Sequence, residues 1–433
     1  MADDHLPQDE LPPGLDRPGL RSRFARLAVD TRPLRESRNF RLLWTGQAVS
    51  YIGSQITLVA IPFQVYELTG STLAVGLISL FEFVPLLAFA LVGGAIADAT
   101  DRRRLILLTE IGFMAVTGGL VVNALLPEPR VWILYVLAAL SVACWSLGAP
   151  AMRSLVPLIV TEEQIPAAMA LEGIYGNLGA VAGPAIGGIL IATIGLPLTY
   201  GLDVLTFAAS LATVWALPRF PPVPDADRAG LRSMLEGLRF VRNRKILLAI
   251  FVVDTNAMVF GMPSALFPAV ADRQFDAGAE VVGFLYAAPY AGALVASLLS
   301  GWMGQIHRQG VAVAAAAACW GLALIGFGLA SALWLALFML ALAGAADMVS
   351  AIFRSTIVFA ATPEGMRGRI LGIELVQVAG APTLGNLEAG VVAALTNIRT
   401  SIVSGGILCI AGTALACLAI PQLLRYDSRE PER

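Results

Sequence analysis

Charge is what this chain has least of. Of its 433 residues only 14% are Asp, Glu, Lys or Arg, while 57% are hydrophobic. A soluble domain carries about a quarter of its residues as charges, so a water-facing globular surface is excluded and a lipid-facing one fits. Lysine occurs once, as Lys245, and it follows Arg244 rather than a glycine. A Walker A loop needs glycine then lysine in a phosphate-cradling turn, which excludes that ATP site and leaves the chain to draw its energy elsewhere. The two histidines, His5 and His307, fall in a tail and a short loop and suggest neither a metal site nor a proton relay. The four cysteines, Cys144, Cys319, Cys409 and Cys417, lie inside apolar runs without metal spacing and read as packing residues. No basic cluster is interleaved with aromatics, so nucleic acid is not an expected partner. No cofactor and no enzymatic activity are expected.

What the chain does have is apolar length. A membrane-spanning helix needs about 20 mostly apolar residues, and twelve such runs appear, at about 41–66, 73–97, 104–126, 131–159, 166–194, 197–217, 246–271, 281–304, 310–330, 332–360, 369–396 and 401–424. The expected fold is an all-α integral membrane protein of two pseudo-symmetric six-helix bundles, 41–217 and 246–424. Residues 1–40 are polar, Pro-rich and Arg-rich, with no apolar core of the kind a secretion signal needs, and read as a disordered cytoplasmic tail. Residues 218–245 read as a cytoplasmic linker whose second half is a basic amphipathic helix lying on the membrane surface. Residues 425–433 form a second cytoplasmic tail. With both termini inside, 24 of the 29 basic residues fall on inner segments and three, Arg130, Arg273 and Arg399, in outer loops. That bias sets the topology by the positive-inside rule. The remaining two, Arg153 and Arg354, fall near inner ends of spans.

The halves echo each other. "RSLVPLIVTEEQ" at 153–164 aligns with "RSTIVFAATPEG" at 354–365, and "GGAIADATDRRR" between spans 2 and 3 has a worn counterpart, "SGWMGQIHR", between spans 8 and 9. Two repeats with a site between them is the layout of a rocking transporter.

The loop between spans 2 and 3 carries Gly94, Asp98, Arg102, Arg103 and Arg104, and span 5 carries "GAVAGPAIGG" with Gly179, Gly183, Pro184, Gly187 and Gly188. On these motifs the chain resembles the major facilitator superfamily. The first fits the family's signature loop, with Asp101 where a glycine is usual. The second fits its proton-antiporter motif. "NALLPEPR", "GFLYAAPYAGA" and the "LRFV" helix before span 7 are similar to the drug-and-siderophore efflux branch. The resemblance runs from about residue 36 to 425 and implies a bacterial cytoplasmic-membrane exporter.

Physical chemistry gives these motifs a task. Gly179, Gly183 and Gly187 share one helix face, a groove into which a neighbouring helix can press closely. Pro184 bends the helix. In the outer half of the membrane such a contact would seal the outer mouth, the alternative being ordinary packing. At the inner side Asp98 would sit near the positive end of span 11, and Glu374 would meet Arg102 or Arg103. Together they form an inner gate, or simply enforce orientation.

Acids within spans are the sharpest clues, because burying a charge in a bilayer is costly. Asp254 lies nine residues past Lys245, roughly 13 Å into the membrane, and Asp347 falls near the middle of span 10. The resemblance implies that spans 7 and 10 line the cavity, so these two are the expected proton-coupling residues, Asp254 first. The alternative is a carboxyl held neutral by a hydrogen bond between helices. Glu172 and Glu374, near the inner surface, are expected to pair with Arg153, Arg354 or the loop arginines. Glu82, Glu388 and Asp203 read as lying toward the outer side. Gln47, Tyr51 and Gln55 on span 1, Trp145, Asn256, Phe260 and Tyr290 are the expected substrate contacts, against lipid contact or packing for each.

The expected function is proton-driven export of a small amphipathic molecule. A siderophore follows the resemblance, and a drug-like compound follows a cavity with acids but no central arginine or lysine. An importer or facilitator is the alternative, with a non-transporting sensor or scaffold behind it. The chain is expected to be monomeric, with the substrate, protons and membrane lipid as its partners.

Overall fold

The computed structural model describes residues 30–221 and 231–429. The expected tail falls on 1–29 for the most part, outside the described residues, as do 222–230 of the linker and 430–433 of the second tail. Residues 30–37, expected within the first tail, are built onto the body instead. A short helix, Arg32–Glu36, precedes Ser37, whose hydroxyl donates to the Ile159 carbonyl (2.6 Å) and accepts from the Phe40 N–H.

Among the described residues eleven helical segments are long and apolar enough to cross a membrane. They are α1 (Arg38–Thr69), α2 (Thr72–Ala99), α3 (Arg102–Leu125), α4 (Val131–Ile159), α5 (Ile165–Trp215), the segment Lys245–Phe275, α8 (Ala279–Leu298), α9 (Gln309–Leu329), α10 (Leu333–Ala361), α11 (Glu364–Leu395) and α12 (Ile398–Ala419). The segment Lys245–Phe275 contains α7 (Lys245–Phe260), and the linker helix Leu231–Asn243, α6, precedes it.

Helix α5 has 51 residues, roughly 75 Å at 1.5 Å per residue and far more than one bilayer. It breaks at Gly195, whose φ of 79° and ψ of 168° are outside the helical region, with Pro197 opening the second limb. The limbs are spans 5 and 6, so eleven segments make twelve crossings. Span 7 also departs from the expected unbroken run. Helix α7 stops at Phe260, and the Gly261–Pro263 stretch turns the chain before a separate helix, Phe267–Phe275. Proline denies that turn an amide donor. Capping explains other boundaries. Ser71 accepts from the Ala74 N–H, and Asn397 from the Thr400 N–H. Asp101 accepts from the Arg104 N–H and so caps α3, which accounts for an aspartate where the family usually has glycine.

The apolar core is divided unevenly. At the end carrying Gly70 and Asn397, called the outer end after the basic-residue bias, one continuous cluster unites both halves, from Val59 and Val75 through Tyr200 to Leu266, Leu285 and Ile402. At the opposite end the halves have separate clusters. One is built around Phe40, Leu105, Leu155 and Val214, the other around Leu247, Phe353, Ile370 and Leu423. The halves are joined at the outer end and parted at the inner one. The linker helix bridges to the second half, with Glu236 ion-paired to Arg369 of α11 (2.8 Å) and Gly237 against Ile373.

Candidate functional site

Two glycine crossings close the outer end. A Cβ added to Gly188 would lie 2.9 Å from the Gly283 Cα of α8, and one added to Gly283 would lie 2.9 Å from the Gly188 Cα. Across the pseudo-twofold, a Cβ on Gly390 of α11 would lie 3.0 Å from the Gly76 Cα of α2, and one on Gly76 3.2 Å from Gly390. Helices meet backbone to backbone at both points, as small residues allow in membranes. The span 5 motif therefore splits its work. Gly179 faces the Tyr51 ring, Gly183 faces Gln55 and the Ile52 carbonyl, and Gly187 faces Ile56, all on α1 of the same half. Gly188 alone of these reaches the other half, and Pro184 contributes its carbonyl beside Gly283. Polar contacts reinforce the closure. Tyr66 donates to Asp272 (2.9 Å), and Arg273 donates to the Gly70 carbonyl (2.7 Å) while lying over the Tyr66 ring.

Beneath this closure is a cavity of about 280 Å³ lined from both halves. Its walls include Gln55, Phe113, Trp145, Phe207, Tyr286 and Asn386, with the carboxylates of Glu82 and Asp203. Both acids were expected toward the outer side. Glu82 stands ten residues from the outer start of α2 and Asp203 eight past the Gly195 break, each in the outer half of its helix. Asp203 is fully buried, accepting from Thr57 (2.5 Å) and from Thr206 (3.0 Å). Among the described residues no arginine or lysine lines the cavity.

Of the expected substrate contacts, Gln55 and Trp145 line it. Tyr51 packs edge-on against Tyr175, and Tyr290 is exposed on α8. The Gln47 amide donates to Glu110 (2.8 Å) and to Ser210, and the Asn256 amide donates to the Cys409 carbonyl of α12 (2.9 Å). Both amides are spent on neighbouring helices. Phe260 likewise meets α12, its carbonyl against Gly405.

The expected proton-coupling pair is brought together by a residue that the sequence left at a helix end. Arg354 ion-pairs with Asp254 and lies 3.7 Å from an Asp347 oxygen, while Ser350 accepts from it at 3.3 Å. Gln377 of α11 donates to the other Asp254 oxygen (3.0 Å), to the Phe251 carbonyl and to Thr255. Arg354 is seven residues before the end of α10, roughly 10 Å deep, so the second half does hold an intramembrane cation. Burying one charge without the other would cost about 3–5 kcal/mol. Asp254 is buried, whereas the Asp347 side chain is 37% exposed. The expected pairs for Glu172 and Glu374 do not form among the described residues. Arg354 is taken by the two aspartates.

At the inner end the motif arginines bond within their own half. Arg102 donates to Ser154 (2.9 Å) and the Pro221 carbonyl, and Arg103 to the Val214 and Trp215 carbonyls. Neither reaches Glu374, in keeping with inner ends that are parted. Gly94 and Asp98 lie in the last turns of α2, and their side chains are outside the described residues.

A bundle of twelve crossings with a cavity between its halves is the architecture of a multi-pass membrane transporter. Residues 29–431 match the family described as "Transmembrane secretion effector", and the chain belongs to that family of the major facilitator superfamily. It is 33% identical to the enterobactin exporter EntS of Shigella boydii serotype 18 over 398 residues, 91% of this chain and 94% of that one. The enterobactin exporter of Escherichia coli O1:K1 / APEC is 32% identical over the same lengths. The fold is similar to that of the nucleoside transporter NupG (TM-score 0.72, 11% identity, 90% of this chain and 100% of that one). A bacterial homologue of the iron transporter ferroportin is likewise similar (TM-score 0.66, 13% identity, 89% and 98%).

Proposed function

We propose that this protein exports a small amphipathic molecule across a bacterial cytoplasmic membrane in exchange for protons, with both termini in the cytoplasm. The observation that carries the proton coupling is Arg354 held between Asp254 and Asp347 inside the membrane. Protonating either carboxyl removes a partner from a buried cation and changes what the cluster prefers to contact. One proton driven inward through 100 mV supplies about 2.3 kcal/mol. The 24-to-3 distribution of basic residues supports the orientation.

For the cargo, the cavity favours a neutral or cationic aromatic compound, since its walls mix Phe113, Trp145 and Phe207 with two acids and carry no arginine or lysine. The relatives' enterobactin points to an iron-free siderophore, which is aromatic and largely uncharged. A drug-like cation is the second reading, favoured by Glu82 and Asp203.

The test is uptake of a labelled iron-free catechol siderophore and of a cationic dye into everted vesicles under an imposed proton gradient, with wild type and Asp254→Asn. Gradient-dependent uptake that falls at least about tenfold in the variant is the expected result, the loss of one pair interaction of at least about 1.4 kcal/mol. Uptake indifferent to collapse of the gradient overturns antiport. Gradient-driven uptake that survives in the variant moves the proton to Asp347.

A further inference from the structure

The two halves have equivalent inner corners, and one of them is a cleft. In the first half the corner where α4 hands over to α5 carries Thr161, Glu162 and Glu163, and it is fastened shut. Gln164 donates to Glu36 (2.6 Å), and Ser37 donates to Ile159. In the second half the repeat places Thr362 and Glu364 where Thr161 and Glu163 stand. Here a space of about 780 Å³ remains, lined by Arg244, Lys245, Thr362, Glu364, Arg367 and Tyr426 among others.

This corner is built for an anion. Three cations face it against one carboxylate, and that carboxylate, Glu364, has a side chain 90% exposed and only a 3.6 Å contact with Arg367. Arg367 is held in place by stacking on Phe359 (4.0 Å), and its Nε has no hydrogen-bond partner. Thr362 is 3% exposed, and its hydroxyl has none either. The 32-residue α11 starts at Glu364, so its first-turn N–H groups and positive dipole end open on the same space. Burial pushes the Tyr426 phenol up, which keeps it a neutral donor beside the cations. Apolar Ile246, Ala360 and Ala361 complete the lining. The positive-inside rule alone does not produce this arrangement, because the matching corner under the same rule is acidic and plugged.

We propose that the cleft between the inner ends of α7, α10 and α11 binds a phosphate group at headgroup level, that of an anionic phospholipid, with Arg244, Lys245 and Arg367 as its cationic contacts and Thr362 as a donor. Inorganic phosphate presents the same chemistry from another source. An occupant would tie Arg244, at the end of the linker helix, to the start of α11. The linker helix already pairs with α11 through Glu236 and Arg369.

The experiment is native mass spectrometry of the full chain in neutral detergent with an equimolar mixture of dioleoyl phosphatidylglycerol and dioleoyl phosphatidylcholine, alongside a titration with inorganic phosphate read by thermal unfolding. Phosphatidylglycerol is expected to be retained in preference. Arg244→Gln with Lys245→Gln should weaken that retention about tenfold or more, since each interfacial cation is worth about 1 kcal/mol. Arg35→Gln with Arg38→Gln at the acidic corner should leave it unchanged. Thr362→Val, near-isosteric and uncharged, serves if the double variant fails to assemble, and should also weaken it. Equal retention of both lipids, or equal loss in both double variants, overturns the proposal. Stabilisation by inorganic phosphate with displacement of the lipid keeps the site and assigns it to free phosphate.

Discussion

The crossings of span 5 with span 8 and of span 2 with span 11 are the same contact built twice, yet only one is written as a motif. At the first, Gly188 stands in a run of four glycines and a proline, because its helix must also press against α1 through Gly179, Gly183 and Gly187. At the second, Gly76 meets Gly390 of α11, and α11 makes a separate close approach to its own half through Gly385, which lies against the Met258 and Val259 carbonyls of α7. Glycine density thus reports how many neighbours a helix approaches closely. Each glycine crossing between the halves brings one glycine from each helix together.

Replacements rank this comparison. Gly188→Val should have the largest effect, because its side chain would run into the backbone of α8, which cannot step aside. Overpacking of this kind costs about 1–3 kcal/mol, a shift of roughly five- to 150-fold against the closed outer end. A cysteine introduced at Ser71 should become correspondingly more reactive toward an impermeant maleimide added outside. Gly390→Ala should act in the same direction and nearly as strongly, with the Thr72 carbonyl 2.7 Å from the new carbon. A silent Gly390→Ala would show that the crossings are unequal partners. Gly179→Ala should cost transport only a few-fold, since the Tyr51 ring can tilt, at about 1 kcal/mol. Gly176→Ala, with nothing within 4 Å of the added carbon, should leave transport intact and raise thermal stability by up to about 1 kcal/mol through helix propensity.

Apolar run length was enough to read the spans, because it is a property of the chain alone. Helix breaks were less legible. Gly195 and Gly261–Pro263 look like many other Gly and Pro positions until a neighbour fixes the backbone. The acids were found by type, but the sequence did not record that Glu82 and Asp203 face one cavity between the halves. Arg354 was missed because a long side chain lets a residue near a helix end reach inward, and its position in sequence does not record that reach. Gln47 and Asn256 have the polarity of substrate contacts, but their partners, Glu110 and the Cys409 carbonyl, lie on helices distant in sequence.

The division of the apolar core, one cluster at the outer end and two at the inner, has a consequence for how the molecule comes apart. Local opening draws first on regions with the least shared burial. Backbone amides of the inner corners should therefore exchange with solvent deuterium well before those around Leu266 and Leu285. Under rising denaturant the two halves should separate from the inner end upward, and their last common structure should be the knot where α5 meets α8 and α2 meets α11.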